Sequence, residues 1–339
     1  MQLCKTVTVG VIAYNEHPYL PSLLENVLNQ SYPKNLTEVI LVDGCSTDDT
    51  KAIMQNFREK HEGLYRRVEI FDNPARIQPS GWNIVLENAS SDVIVRIDAH
   101  AIIPSDFIEK NMECINSGED VCGGPRENFI DENTPWKRVL LAAEQSLFGS
   151  GGATYRQDTR GKKYVKSVFH GAYRKEVLEK VGLFNDKLMR TEDNEYHYRI
   201  RKAGYRICYS PLIQSKYQTR NSLRRMIAQK YKNGEWVGRT LFVCPKSVSF
   251  FHLIPGLFVA ILAASMVLAA FGVKWLLLMV GISYLLLDLL FSVLDCCRNG
   301  KDNVFFIALP IVFFLLHLSY GSGTIIGTIV GINKVWMRG

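Results

Sequence analysis

Short apolar runs alternate with amphipathic segments through the first hundred or so residues of the chain. The runs T-V-T-V-G-V-I-A-Y, E-V-I-L-V-D, R-V-E-I-F and D-V-I-V-R-I-D are rich in β-branched residues, as expected for buried strands. The segments L-P-S-L-L-E-N-V-L-N-Q, K-A-I-M-Q-N-F and G-W-N-I-V-L-E-N-A lie between them and have apolar residues at helical spacing. This alternation predicts an α/β fold with a doubly wound, mostly parallel sheet.

The hydrophobic pattern changes at about residue 249. Three long apolar stretches follow, beginning near Phe250, Trp275 and Val304, and each reaches the roughly 20 residues that a helix needs to cross hydrocarbon. The pattern predicts an α-helical membrane region over 249–335 with two to three transmembrane helices. Pro310 and the run Y-G-S-G leave open whether the third stretch crosses fully or bends back. The spacing of Gly323, Gly327 and Gly331 favours close helix packing.

Charge adds a direction to this arrangement. The formal net charge is +7, and basic clusters such as R-N-S-L-R-R-M lie just before the first apolar stretch. Such clusters favour a cytoplasmic position beside anionic membrane lipid. No basic stripe interleaved with aromatic residues is present, so the sequence does not indicate nucleic-acid binding. The residues after Met1 enter a strand pattern directly, and we expect no signal peptide. The eight cysteines include no C-x-x-C pair, which favours free thiols.

Polar side chains stand where the first four predicted strands end. Tyr14-Asn15-Glu16 follows the first strand, Asp43 ends the second, Asn73 follows the third, and Asp98-Ala99-His100 ends the fourth. In parallel α/β sheets, ligands bind outside the carboxyl ends of the strands. The four segments are therefore predicted to share one ligand-binding edge.

The ordered motifs A-Y-N-E, V-D-G-C-S-T-D, G-W-N and I-D-A-H-A resemble the nucleotide-sugar half of the family 2 glycosyltransferases, which have the GT-A fold. More narrowly, R-I-D-A-H-A, S-G-G-A-T-Y-R and H-G-A-Y-R-K-E-V-L-E-K-V-G resemble the succinoglycan-type glucosyltransferases of bacterial exopolysaccharide biosynthesis. The resemblance implies an inverting hexosyltransferase in exopolysaccharide or capsule synthesis. It would move a hexose from a UDP-sugar to a polyprenyl-diphosphate-linked saccharide.

The resemblance also implies roles for individual residues on the donor side. Asp98 corresponds to the first acid of the family's D-x-D motif and His100 stands in place of the second, so this pair would hold a divalent metal, Mn²⁺ or Mg²⁺. Asp43 would contact uracil, although Gly44 replaces the second acid usual there. The nucleotide-sugar-binding set is Ala13, Tyr14, Glu16, Asp43, Asn73, Arg76, Asn83 and Asp98.

The acceptor side centres on the segment T-E-D. Periodic apolar residues after it predict a helix with Thr191 as N-cap, and the resemblance makes Asp193 the catalytic base, supported by Glu192 and Arg199. A helix salt bridge from Glu195 explains Arg199 equally well. Acceptor contacts are assigned to Arg156, His170, Gln229 and Trp236, with a packed histidine and a membrane-interface tryptophan as the alternatives for His170 and Trp236.

Together these features predict a cytoplasmic GT-A domain over 1–245 and an integral membrane protein of the bacterial cell membrane. The domain divides into a nucleotide-binding half, 1–105, and an acceptor half with a membrane-interface helix, 106–245. Two alternatives stay open. One is a polyprenyl-phosphate monosaccharide synthase, and the other is an inactive nucleotide-sugar-binding membrane scaffold.

Overall fold

The computed structural model describes residues 5–149, 161–299 and 303–336. Its contacts divide the chain into two compact units. Unit 1 comprises Met1–Glu127 and Thr154–Gln218, and unit 2 comprises Asn128–Ala153 and Thr219–Gly339. The predicted boundary of the GT-A domain near residue 245 stays a prediction.

Unit 1 is built on a mixed eight-stranded sheet, flanked by helices, as the alternation of strand and helix patterns predicts. The strand order is β3-β2-β1-β4-β9-β6-β10-β8, and the first four strands in this order are parallel. Strand β9 pairs antiparallel with both β4 and β6. The strands of this sheet are Val7–Ala13 (β1), Thr37–Asp43 (β2), Arg67–Asp72 (β3), Val93–Asp98 (β4), Val121–Gly123 (β6), Lys163–Tyr164 (β8), Ala172–Arg174 (β9) and Ile207–Tyr209 (β10).

A second, three-stranded sheet has the order β5-β11-β7. Its strands are Ala101–Ile102 (β5), Arg126–Phe129 (β7) and Ser215–Gln218 (β11). The helices of unit 1 are Leu20–Leu28 (α1), Thr50–His61 (α2), Gln78–Asn88 (α3), Phe107–Asn116 (α4), Lys175–Val181 (α6) and Glu192–Lys202 (α7).

The register of the parallel strands brings the predicted strand ends to one level. Ala13 pairs with Asp43, Asp43 pairs with Asp72, and Ile12 pairs with Asp98. Strands β2 and β3 extend to one side of β1 and β4 to the other, so the crevice at this point of reversal opens at their carboxyl ends. The prediction that these strand ends share one edge of the sheet is confirmed.

Alternating side chains of the parallel strands pack on opposite faces of the sheet. Val93, Val95 and Ile97 belong to one buried apolar cluster, whereas Ile94 belongs to the other, together with Trp82 of α3. Arg96 and Asp98 share the face of Ile94, because side chains two residues apart in a strand point the same way. The burial of strands on both faces explains their nearly continuous apolar sequence.

Unit 2 is helical. Among the described residues, three helices are long and apolar enough to cross a membrane by length and composition, Phe250–Ala270, Trp275–Arg298 and Ile307–Asn333. The third belongs to a continuous 34-residue helix, Asn303–Trp336, so Pro310 does not end it. The helices of this unit are Pro135–Gln145 (α5), Leu223–Thr240 (α8), Phe250–Ala270 (α9), Trp275–Asn299 (α10) and Asn303–Trp336 (α11).

Glycines allow α8 and α11 to pack backbone against backbone, which confirms the close packing predicted from their spacing. A Cβ atom on Gly327 would overlap the carbonyl oxygen of Glu235, and one on Gly323 would overlap that of Tyr231. Such close approach increases the van der Waals contact between the two helices.

Replacing Gly327 by leucine tests this contact. The side chain would meet backbone atoms that cannot move aside, so we expect Gly327→Leu to destabilise the protein by about 3 kcal/mol or more. Gly281→Leu in α10 is the matched control, since nothing in the described structure lies within 4 Å of its Cβ position. Thermal unfolding in detergent measures both variants. Equal melting temperatures would contradict the packing.

Candidate active site

Hydrogen bonds between two loops form the edge of the crevice beside β1 and β2. The Asn15 side-chain oxygen accepts a hydrogen bond from the Thr47 N–H at 2.8 Å, and the Glu16 N–H donates to the Thr50 hydroxyl at 2.8 Å. The Asp43 carboxylate is fully buried and accepts a hydrogen bond from the Ser46 N–H at 3.1 Å. The two loops therefore hold one another in place. Tyr14, in contrast, is 48% exposed.

Left-handed backbone conformations concentrate at the predicted site segments. Four non-glycine residues in the described part of the chain have positive φ, namely Asn15 at 53°, Cys45 at 55°, Arg76 at 56° and Thr191 at 65°. Each follows or borders a segment predicted to bind donor or acceptor. Such conformations cost of order 1–3 kcal/mol each and cluster at functional sites.

Asp98, at the end of β4, lies near His170. The distance from His170 Nε2 to an Asp98 carboxylate oxygen is 3.8 Å, too long for a hydrogen bond. Burial opposes ionisation of Asp98, but charged neighbours, Arg96 among them, lower its pKa well below its usual range. The carboxylate is therefore charged. Burial lowers the pKa of His170, so its imidazole is neutral.

His170 has a buried ring whose two nitrogens make no hydrogen bond within the described residues. A neutral imidazole nitrogen beside an ionised carboxylate fits the mixed nitrogen and oxygen ligands that Mn²⁺ accepts. No group of three or more His, Cys, Asp or Glu side chains is placed to hold a metal ion in the described ranges. The pair formed by Asp98 and His170 therefore fits a cation whose remaining ligands come from a bound molecule.

His100, predicted as the second metal ligand, turns its Nδ1 towards Glu16 Oε1 at 3.1 Å. Its ring makes edge contacts with Tyr19 and Tyr217, at centroid distances of 6.4 and 5.1 Å. Glu16, predicted near the ribose, is thus linked to the segment after β4. Both assignments stay predictions.

Helix α7 begins with three acids in its first turn, Glu192, Asp193 and Glu195. Negative charge is stabilised at a helix N-terminus. Asp193 is partly exposed, and its carboxylate accepts a hydrogen bond from the Asn194 N–H at 2.8 Å. The prediction that Thr191 is the N-cap residue is confirmed, although its side chain makes no cap hydrogen bond. Thr191 occupies this position in a left-handed conformation, and its hydroxyl donates to the Arg190 carbonyl.

Arg96, for which the sequence predicted no role, connects the end of β4 with the acidic start of α7. Its Nη2 is 3.3 Å from Glu192 Oε1, and its guanidinium interacts electrostatically with Asp98 and Asp193 as well. Its Cζ lies 4.7 Å from the Trp82 ring centroid. The end of β4 and the start of α7 therefore share one buried positive charge.

Glu192 is buried and titrates abnormally. Burial and the adjacent Asp193 raise its pKa to about 7, and Arg96 opposes this shift. Close by, His197 hydrogen-bonds to the Ser167 hydroxyl at 2.8 Å and to the Tyr173 hydroxyl at 2.9 Å. Burial lowers the pKa of His197 to about 3, so this network is neutral.

The side chains of Asn83 and Asn73 make hydrogen bonds to backbone atoms. The Asn83 side chain exchanges two hydrogen bonds with the backbone of Phe184, at 2.7 and 3.0 Å. Asn73 donates to the Ile77 carbonyl at 2.9 Å, while its own amide oxygen is buried and unpaired within the described residues. Arg76 is exposed.

Arg199 pairs with Glu195 through two contacts of 2.8 and 3.0 Å, and it also donates to the carbonyls of Val181 and Leu183. This geometry favours the helix salt bridge over contact with the acceptor.

The remaining residues predicted for the acceptor side belong to different parts of the chain. Gln229 and Trp236 are on α8 in unit 2, where the Arg239 guanidinium lies 4.9 Å from the Trp236 ring centroid. Arg156 is outside the described residues. His170, assigned to the acceptor side, instead lies beside Asp98 of the donor-side set. These assignments stay predictions.

Comparisons with known proteins place the chain in a family. Residues 8–182 match the family model described as glycosyl transferase family 2. The chain is 30% identical over 239 residues to the succinoglycan biosynthesis protein ExoA of Rhizobium meliloti, covering 69% of each chain. It is 28% identical over 323 residues to a Methanococcus voltae dolichyl N-acetyl-alpha-D-glucosaminyl phosphate 3-beta-D-2,3-diacetamido-2,3-dideoxy-beta-D-glucuronosyltransferase, covering 93% of this chain and 95% of the relative.

Solved structures share the fold. The mannosyltransferase PcManGT from Pyrobaculum calidifontis, in complex with GDP-Man and Mn²⁺, aligns with a TM-score of 0.56 at 18% identity. That alignment covers 100% of this chain and 89% of the other. S. aureus TarS 1-349 aligns with a TM-score of 0.52 at 17% identity, covering 98% and 92%. The neighbours and the family model establish the predicted GT-A fold.

The raised pKa of Glu192 predicts a pH-dependent stability that Glu192→Gln should remove. An acid with a raised pKa in the folded state keeps its proton there after the unfolded chain has lost it. The unfolding free energy of the unsubstituted protein should therefore fall, relative to the Gln variant, as the pH rises from 4.5 to about 7. The relative fall is at most roughly 3 kcal/mol. Thermal unfolding across this window measures it, and parallel pH curves would contradict the assignment.

Proposed function

Because the chain belongs to glycosyl transferase family 2, we propose that it is an inverting, metal-dependent hexosyltransferase. It moves a hexose from a UDP-sugar to a polyprenyl-diphosphate-linked saccharide, in exopolysaccharide or capsule synthesis. The catalytic domain acts at the cytoplasmic face of the cell membrane. The observation that supports the proposal is the buried guanidinium of Arg96, which lies 3.3 Å from Glu192 Oε1 at the start of α7 and interacts electrostatically with Asp98 and Asp193.

The donor side supplies charge and shape for a nucleotide diphosphate. Asp98 and His170 Nε2 would hold the divalent cation, with His100 beside them on the same rim. When bound, such a cation stabilises the negative charge that develops on the departing diphosphate. The linked loops at Asn15 and Asp43 hold the edge of the nucleotide pocket rigid before the donor arrives. Asn73 offers its buried amide oxygen beside that edge.

The acceptor side supplies a base. Asp193 takes the proton from the acceptor hydroxyl as that hydroxyl attacks the anomeric carbon opposite the leaving diphosphate. The rigid first turn of α7 fixes the carboxylate, and placement of this kind contributes much of an enzyme's rate. Glu192 lies beneath it as a buried support. A single displacement inverts the anomeric configuration.

Two observations support a lipid-linked acceptor. The helices Phe250–Ala270, Trp275–Arg298 and Ile307–Asn333 are each long and apolar enough to cross a membrane. The M. voltae relative is named for a dolichyl-linked sugar phosphate, and the R. meliloti relative for succinoglycan biosynthesis. An acceptor anchored in the membrane suits an enzyme anchored there.

A panel of radiolabelled nucleotide sugars and lipid-linked acceptors, incubated with membranes that contain the protein, tests the activity. We expect one UDP-hexose to extend a polyprenyl-diphosphate saccharide. Product on bare polyprenyl phosphate would instead establish the monosaccharide synthase. No transfer and no hydrolysis from any donor would contradict the proposal.

The variant Asp193→Asn assigns the base. It keeps the size of the side chain but cannot accept the proton, so transfer should fall by at least about a hundredfold. UDP affinity should stay within about twofold, because Asp193 belongs to the acceptor side. Glu179→Gln, on α6, is the control acid and should transfer normally. Equal loss of UDP binding and transfer would remove Asp193 from this role.

The variants Asp98→Asn and His170→Ala test the metal pair. Calorimetric titration of UDP with and without Mn²⁺ should show that each substitution weakens the Mn²⁺-dependent part of the affinity by about tenfold or more. Affinity without Mn²⁺ should change little. His61→Ala, at the end of α2, serves as the control histidine. If Mn²⁺ strengthens UDP binding equally in all variants, the pair does not hold the cation.

A further inference from the structure

Arg96 is a buried cation in the middle of an apolar strand. The residue is 6% exposed, and its side chain lies on the sheet face that it shares with Asp98, two residues further along β4. A buried arginine needs both a counter-charge and partners for its planar group. The groups that surround Arg96 therefore indicate its role.

Aromatic rings fix the guanidinium in position. Its Cζ lies 4.7 Å from the Trp82 ring centroid and 5.7 Å from that of Phe184. Phe184 in turn stacks on Tyr196 of α7, at a centroid distance of 3.9 Å and an interplanar angle of 16°. The same aromatic cluster thus holds the arginine and the body of α7.

The charge contacts of Arg96 go to the two acidic segments. Glu192 Oε1 is 3.3 Å from Nη2, and the charges of Asp98 and Asp193 both act on the guanidinium. Glu192 is the first residue of α7, and Asp193 follows it directly. Any movement of Glu192 therefore moves the backbone that carries Asp193.

We propose that Arg96 is a positioning residue that, through its hydrogen bond to Glu192, fixes Asp193 relative to Asp98 at the end of β4. The inference rests on the proposed function, because it concerns the alignment of the base with the donor. Arg96 is outside the predicted donor and acceptor sets. Its loss moves the base without removing any group that binds the donor.

Four variants test this role by kinetics, namely Arg96→Met, Arg96→Lys, Glu192→Gln and the double variant Arg96→Met/Glu192→Gln. Arg96→Met should lower kcat by about a hundredfold, the size of effect that a misplacement near 1 Å produces. The KM for donor and the Mn²⁺-dependent affinity for UDP should change less than threefold. Arg96→Lys keeps the charge but not the planar fork, and it should recover at least tenfold of the lost kcat.

The double variant separates positioning from simple damage. If Arg96 acts through Glu192, the double variant should have the kcat of Arg96→Met alone, because the second change removes nothing further. Multiplied losses would overturn the proposal. So would an Arg96→Met variant that folds and retains kcat within threefold, or one that raises only the KM for donor.

Arg67→Met is the matched control. Arg67 also pairs with a buried glutamate, Glu38, with Nε 2.7 Å from Oε1, but Glu38 is near the amino end of β2, away from Asp43. This variant should lower the melting temperature and leave kcat unchanged. Equal losses of kcat in Arg67→Met and Arg96→Met would assign both to stability alone.

A substrate-free measurement keeps this inference separate from the proposed function. Thermal unfolding of the same single and double variants reports the coupling of residues 96 and 192 without any donor. Additive shifts in melting temperature would overturn the coupling of Arg96 and Glu192 even if the protein is an active transferase. Coupled shifts in a protein that transfers no sugar would leave the pair intact and refute the proposed function. If Arg96→Met does not fold, unchanged kcat in Arg96→Lys overturns the proposal.

Discussion

Three carboxylates cannot share a partly buried region unless positive charge compensates them. Asp98, Glu192 and Asp193 all act on the guanidinium of Arg96, and burial of Glu192 beside Asp193 already raises its pKa to about 7. The dipole at the start of α7 supplies further compensation. The aromatic rings around Arg96 fix the position of its charged guanidinium. The packing of these rings against Arg96 therefore influences which of the nearby acids stay ionised.

The edge of the crevice beside β1 and β2 depends on a different constraint, the hydrogen bonds between its two loops. Asn15 and Cys45 adopt left-handed backbone conformations, which glycine adopts more readily than residues with a side chain. The Asn15 side-chain oxygen accepts a hydrogen bond from the Thr47 N–H. The backbone N–H of Asn15 donates to the Ser46 hydroxyl at 3.0 Å. These bonds offset a conformational cost of about 1–3 kcal/mol per residue. The two loops therefore stabilise one another at this edge.

The sequence predicted the parallel half of the fold well, because buried strands and amphipathic helices have distinct periods there. It also placed Asp43 and Asp98 at one edge, since strand ends of a parallel sheet must meet. It did not find Arg96, although a charged residue within V-I-V-R-I-D was a visible signal. It could not place His170 beside Asp98, because β9 pairs antiparallel with β4 across 76 residues of intervening chain (93–95 with 172–174), and no local pattern encodes that pairing. Long-range strand pairing is the step that sequence periodicity does not determine.

The length of α11 bears on how the third apolar stretch meets the membrane. At 34 residues it spans about 50 Å, whereas the hydrocarbon core is about 30 Å thick. The segment around Gly323 and Gly327 is covered by α8, which carries Lys232, Glu235 and Arg239. Charged side chains are costly in hydrocarbon, so this end of α11 is favoured at the membrane surface. The helix need not bend back, as the sequence allowed. The amino-terminal part of α11 can cross the membrane. The part that packs against α8 then projects beyond the hydrocarbon.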